Sequence, residues 1–180
     1  MTFKQIIFSL FAVACSLISQ PLSAQTPKKV KVACVGNSIT YGMALKNRER
    51  DAYPFQLQRM LGADYEVGNF GKSGATLLRR GYRPYFNQEE YKQAMAFAGD
   101  VVVIHLGVND TDPRCWPNLR DEFVSDDLAL IDSLRSVNPK AKFYVAEITP
   151  IADRHPRFQS GTKEWQMQVR QKVREVARLS

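Results

Sequence analysis

The fold of this chain is decided by the stretch Val101-Val102-Val103-Ile104-His105-Leu106-Gly107-Val108-Asn109-Asp110. Its first four residues are apolar and β-branched, with no polar residue between them. A run of this kind is typical of a strand that is covered on both faces within a parallel sheet. The glycine and the Asn-Asp pair that follow are residues that favour turns. We therefore predict a strand over residues 101–106 and a polar turn at its carboxyl end.

Strands and helices are predicted to alternate on both sides of this strand. The predicted strands are residues 29–35, 65–70, 101–106 and 142–148, and the predicted helices are residues 54–61, 89–98, 119–137 and 165–179. This order predicts an α/β fold, a three-layer α/β/α sandwich around a parallel sheet. In such sheets, binding sites lie at the carboxyl ends of the strands.

The chain ends at Ser180, directly after the last predicted helix. The alternating pattern predicts a further strand there, to cover the apolar face of that helix unless another partner does so. We therefore expect residues 25–180 to be one domain that is C-terminally incomplete, with its last strand missing.

The N-terminus has the pattern of a secretory signal peptide. Lys4 precedes an apolar stretch over residues 6–18, and Leu22-Ser23-Ala24 is a small-residue cleavage motif. The stretch is too short for a membrane span, which needs about 20 residues. We predict a signal peptide over residues 1–24 and a secreted or periplasmic protein. A lipoprotein anchored through Cys15 is the weaker alternative, because the apolar run continues past that cysteine.

Charge and cysteine content exclude several classes of protein. The formal net charge is +7, and removal of residues 1–24 lowers it to +6, because that segment holds one lysine and no acid. The basic residues are scattered along the sequence, which argues against nucleic-acid binding. The positive charge could favour an anionic substrate or belong to a solvated surface. Cys34 and Cys115 provide neither a disulfide framework nor a metal site. No cofactor is predicted.

Three polar segments each follow a predicted strand: Gly36-Asn37-Ser38-Ile39-Thr40, Asn69-Phe70-Gly71-Lys72-Ser73-Gly74-Ala75-Thr76 and Gly107-Val108-Asn109-Asp110. Acyl transfer needs a nucleophile, a base and donors for the oxyanion. Ser38 is the candidate nucleophile. The candidate oxyanion donors are the backbone N–H groups of Ser38 and Gly74 and the side-chain amide of Asn109.

These segments resemble, in order, three sequence blocks of the SGNH, or GDSL-type, hydrolase superfamily. Asn37 stands where many members carry aspartate. The resemblance implies a flavodoxin-like fold and a serine esterase with Ser38, Gly74 and Asn109 in the roles above. Residues 77–100, with Arg83-Pro84-Tyr85-Phe86-Asn87, are most similar to secreted carbohydrate O-acetylesterases of the sialate-esterase type.

The superfamily's last block, Asp-x-x-His, is absent from this chain. The histidines are His105, inside a predicted strand and therefore structural, and His155, in Asp153-Arg154-His155-Pro156. His155 is the candidate base, although its spacing to Asp153 is one residue short. Three explanations stay open: a chain that lacks its final block, a site that uses His155, and a protein that binds carbohydrate without catalysis.

The sequence therefore predicts a secreted serine esterase that removes short acyl groups, acetyl foremost, from carbohydrates. A lysophospholipase or thioesterase on the same scaffold and a non-catalytic carbohydrate-binding domain are the alternatives. Tyr41, Arg114 and Trp116 lie near the predicted site loops and could contact a sugar ring, and Arg79 and Arg83 could pair with a sialate carboxylate. For each of these side chains, packing or solvated charge is the simpler role.

Overall fold

The computed structural model describes residues 28–116, 118–150 and 162–180. It contains a four-stranded parallel sheet in the order β2-β1-β3-β4. The strands are β1 (Val30–Gly36), β2 (Tyr65–Gly71), β3 (Val101–His105) and β4 (Lys142–Val145). The four predicted strands and their parallel arrangement are confirmed.

Helices alternate with the strands, as the sequence predicts. Those in the described residues are α1 (Ser38–Tyr41), α2 (Arg48–Asp51), α3 (Tyr53–Leu61), α4 (Glu89–Phe97), α5 (Phe123–Val137) and α6 (Thr162–Leu179). The prediction of one helix over residues 119–137 is wrong at its start, because Arg120–Glu122 forms a separate 3-10 turn before α5. The predicted strand over residues 142–148 is also too long. The Ala146 N–H still donates to the Ile104 carbonyl. β3 ends at His105, so the residues after Ala146 have no neighbouring strand residues with which to pair.

The main core lies on one face of the sheet. Ala33 and Val35 of β1 belong to the same buried cluster as Ala94 of α4, Leu130 of α5 and Val173 of α6. Cys34, between the two β1 residues, faces the other way because side chains alternate along a strand. It lies beside the Tyr53 hydroxyl at the start of α3. The helices thus form layers on both faces of the sheet, which gives the predicted α/β/α arrangement.

Coverage of the second face stops short of β3 and β4. Val101 and Val103 are only half-buried, and Tyr144 of β4 is 59% exposed. The expectation that residues 101–104 are covered on both faces therefore holds for one face only. The apolar face of α6, in contrast, is buried: Val169, Val173 and Val176 all pack into the main core.

Residues 1–24, for which we predict a signal peptide, and His155 lie outside the described residues. Within the described part of the chain, no helix is both long enough and apolar enough to cross a membrane.

Candidate active site

Ser38 begins α1 directly after β1. The side chain of Asn37, the residue before it, caps this helix by accepting a hydrogen bond from the Ile39 N–H at 3.0 Å. On the next strand, a Cβ on Gly71 would lie 2.1 Å from the Tyr41 nitrogen. Only glycine therefore allows α1 to pack this closely against the end of β2. Ser38, the candidate nucleophile, thus lies at the start of a capped helix that packs against the end of β2.

Gly74 lies in the loop after β2, with φ at +78°. This left-handed conformation costs glycine far less than residues that carry a Cβ. In the described part of the chain, the N–H groups of Ser38 and Gly74 donate to no protein acceptor. Both donors are therefore available to a ligand.

Asn109 and Asp110 follow β3 and hold the Gly74 loop from the other side. Asn109 Nδ2 donates to the Ala75 carbonyl at 2.8 Å, which fixes the amide and leaves its second hydrogen for another acceptor. The fully buried Asp110 carboxylate accepts from the Leu77 and Leu78 N–H groups at 3.0 and 2.8 Å. The Asp110 carboxylate therefore braces the loop after β2.

Three buried carboxyl groups lie behind this loop. Burial raises the pKa of Asp110 to about 6, and burial together with the charge of Asp110 raises the pKa of Asp127 to about 7. Asp126 accepts from the Arg79 N–H at 2.8 Å, and burial raises its pKa as well. These three carboxyl groups therefore lose their protons at a higher pH than exposed aspartates do.

One cleft of about 670 Å³ brings together all three candidates, Ser38, Gly74 and Asn109. Its other lining residues are Met43, Ser73, Tyr82, Arg83, Asp112, Pro113 and Arg114. Sequence reasoning identified Arg83 and Arg114 as possible sugar contacts, and both line the cleft. It missed Ser73, Tyr82 and Asp112. Turn residues in loops carry no periodic pattern that would have marked them.

Several other candidates lie away from the cleft. Trp116 is fully buried and donates to Gln168 Oε1 at 2.8 Å, so its role is packing. Tyr41 is covered by the Arg48 guanidinium, and Arg79 lies over the Phe86 ring. His105 is buried within β3, and burial lowers its pKa.

Cys34 and Cys115 are both buried and unpaired. Burial raises the pKa of the Cys34 thiol to about 12, so this cysteine is a core residue, as the sequence predicts. No group of metal-ligating side chains occurs among the described residues.

The fold and the cleft together define a class of protein. A serine at a strand end, next to two open backbone N–H groups and an asparagine amide, supplies the nucleophile and the oxyanion donors that acyl transfer requires. The chain belongs to the GDSL-like lipase/acylhydrolase family, whose model matches residues 34–180. This membership confirms the resemblance found in the sequence.

A relative described as an acetylxylan esterase from Xylanibacter ruminicola is 46% identical to this chain over 115 residues. The match covers 63% of this chain and 24% of the relative, so the chain spans about a quarter of that protein's length.

Solved structures share the fold at low sequence identity. An aryl esterase of M. smegmatis has a TM-score of 0.63 and 19% identity, covering 83% of this chain and 80% of its own. A catalytic mutant of an acetylxylan esterase from Geobacillus stearothermophilus has a TM-score of 0.60 and 18% identity, over 86% and 74% of the two chains. A family two carbohydrate esterase from Clostridium thermocellum has a TM-score of 0.59 and 22% identity, over 88% and 53%.

Proposed function

We propose that this protein is a secreted serine esterase that removes short acyl groups, acetyl foremost, from carbohydrates. The observation that carries the proposal is the single cleft lined by Ser38, Gly74 and Asn109. The acetylxylan esterase relative supports a carbohydrate substrate. Secretion rests on the signal peptide predicted over residues 1–24.

In the proposed mechanism, Ser38 Oγ attacks the ester carbonyl while a base takes its proton. The N–H groups of Ser38 and Gly74 and the free hydrogen of Asn109 hold the oxyanion of the tetrahedral intermediate. The sugar hydroxyl leaves with the proton, and water then releases the acyl group from Ser38. The base is unassigned within this chain, with His155 as the candidate, and loss of turnover in His155→Gln would support that role.

Polar side chains in the cleft favour a sugar over a lipid chain. Tyr82, Arg83, Asp112 and Arg114 line it, and hydroxyl-rich ligands offer these groups hydrogen-bond partners. A lysophospholipase would need an apolar wall for the acyl chain, and Met43 and Pro113 are the apolar side chains that line the cleft.

The test is a panel of acetylated oligosaccharides and long-chain esters, assayed with the wild-type protein and Ser38→Ala. We expect turnover of the acetyl esters, slow or no turnover of long-chain esters, and loss of activity in Ser38→Ala. Ser136→Ala, an exposed position on α5, is the matched control and should keep the wild-type rate. Equal rates on acetyl and long-chain esters would contradict the acetylesterase proposal. Sugar binding without turnover in the wild type would support either the non-catalytic alternative or a chain that lacks its final block.

A further inference from the structure

Arg83 lies against the backbone that supplies one of the proposed oxyanion donors. A Cβ placed on Gly74 would be 3.4 Å from Arg83 Nη1 and 3.6 Å from Arg83 Cδ, so the side chain runs directly beside Gly74. Arg83 also lines the cleft with Ser38. Its guanidinium group therefore lies beside the Gly74 backbone, in the same cleft as Ser38.

The backbone of Arg83 is fixed relative to Gly74. The Thr76 N–H donates to the Arg83 carbonyl, and the Tyr85 N–H donates to the Thr76 carbonyl, both at 2.9 Å. Tyr85 is fully buried, and its hydroxyl donates to the Phe70 carbonyl near the end of β2 at 2.7 Å. The arginine therefore projects from a segment that is paired with the Gly74 loop, and little ordering is needed before it binds a ligand.

The charge of Arg83 is not compensated within the cleft. Three charged residues line it: Arg83, Asp112 and Arg114. Arg114 binds both oxygens of Asp112, at 2.8 and 2.7 Å, and lies 3.9 Å from the centre of the Tyr82 ring. Among the described residues, no carboxylate pairs with Arg83, so the described lining of the cleft presents one cation without a counter-ion beside the proposed reacting centre.

We propose that Arg83 binds a carboxylate carried by the substrate close to the scissile ester, as on an acetylated uronic acid. A guanidinium group offers paired N–H donors that match the two oxygens of a carboxylate. The inference rests on the proposed function, since it names the substrate class of the same site. The carboxylate has two possible sources, the sugar that bears the ester or the acyl group itself, and the test separates them.

The test compares kcat/KM on four esters: acetylated glucuronic acid, the uronamide of the same sugar, acetylated glucose, and glucose carrying a succinyl ester. We expect the wild type to prefer the uronate over the uronamide, and Arg83→Gln to lower that preference about tenfold, the range of a hydrogen bond to a charged group. Arg80→Gln removes an exposed arginine that pairs with Glu122 outside the cleft, and it should leave the preference unchanged.

Two outcomes have distinct meanings. An unchanged uronate preference together with an unchanged succinyl-ester rate in Arg83→Gln would overturn the inference. An Arg83 effect confined to the succinyl ester would keep the carboxylate site and assign the carboxylate to the acyl group.

A binding measurement separates failure of this inference from failure of the proposed function. Glucuronate and glucose are titrated into the wild type and Arg83→Gln, with binding followed by NMR, which needs no turnover. We expect tighter binding of glucuronate, lost in Arg83→Gln and weakened by salt. Equal binding of the two sugars, together with an unchanged succinyl-ester rate in Arg83→Gln, would overturn the inference, whereas absence of turnover on acetylated glucose bears on the proposed function alone.

Discussion

Asn109 illustrates how one side chain can serve both the loop and the chemistry. One amide hydrogen holds the Ala75 carbonyl, and the other is available for the oxyanion. We predict that Asn109→Ala lowers kcat by roughly 100- to 1000-fold, because an oxyanion donor acts mainly in the transition state. Steady-state kinetics with thermal unfolding measures the effect and shows whether the fold survives. The exposed Asn118, which does not line the cleft, is the control, and Asn118→Ala should match the wild type. A loss of less than about fivefold would contradict the role.

The raised pKa of Asp127 leads us to predict that its contribution to the free energy of unfolding falls as the pH rises. Burial raises its pKa from the ordinary 3.8 to about 7, so the folded state retains a proton that the unfolded state releases. The stabilisation that Asp127 provides is fully present below about pH 4 and is lost as the pH rises through about 7. The melting temperature of Asp127→Asn should therefore fall less between these limits than that of the wild type. Asp132→Asn, an exposed control on α5, should keep the wild-type slope, and parallel wild-type and Asp127→Asn curves would contradict the assignment.

At the residue scale, the sequence identified the groups that carry chemistry but not the groups that hold them. Ser38, Gly74 and Asn109 could be found because each follows a strand in a recognisable block, and the structure brings them into one cleft. The bonds of Asp110 to Leu77 and Leu78 span more than thirty residues, and no local pattern indicates them. Partners at such separations depend on how the loops pack, which the spacing of residues does not specify.

At the scale of elements, the segment Tyr85–Asn87 and the residues before it form a support for the cleft. The Tyr85 ring is fully buried, and its hydroxyl bonds to the Phe70 carbonyl. Tyr85→Phe keeps the ring and removes the hydroxyl that bonds this carbonyl, so we predict a loss of about 0.5–1.5 kcal/mol in the free energy of unfolding.

Chemical denaturation measures this loss, with Tyr144→Phe as the matched control. Tyr144 is 59% exposed, and its change should stay within about 0.5 kcal/mol. Similar stabilities for the two variants would show that the Tyr85 hydroxyl does not anchor the segment.

Element prediction succeeded where a periodic apolar pattern was long enough to read. The strands and the four longer helices were found, with errors at their ends. The short helices α1 and α2 were missed, because four residues are about one helical turn and show no periodicity. α1 is stabilised by its Asn37 cap, which is local, and by its packing against the end of β2, which depends on tertiary structure.

At the scale of the whole molecule, α6 completes the main core. Val169, Val173 and Val176 are buried against the sheet, and Glu147 after β4 binds Arg170 and Arg174 of the helix. We predict that Val173→Ala costs about 1–3 kcal/mol of unfolding free energy, because it leaves a cavity in this core. Val137→Ala, at a position 41% exposed, is the control and should cost less than half as much. Equal losses would mean that α6 contributes little to the core.

The architecture of the molecule was predictable from alternation alone, whereas the coverage of the sheet was not. The run over residues 101–104 reads as a strand buried on both faces, yet Val101 and Val103 are half-buried. An apolar sequence shows that a face can be buried, but not which element of the chain covers it.

Trapping the acyl group on Ser38 tests directly whether this serine is the nucleophile. The purified protein is mixed with excess p-nitrophenyl acetate, quenched in acid within the first turnover, and examined by intact mass and peptide mapping. We expect an added acetyl group on the peptide that contains Ser38, and no added acetyl group on the corresponding peptide of Ser38→Ala. Turnover of the ester without a modified Ser38 peptide, or an acetyl group on another residue, would contradict it.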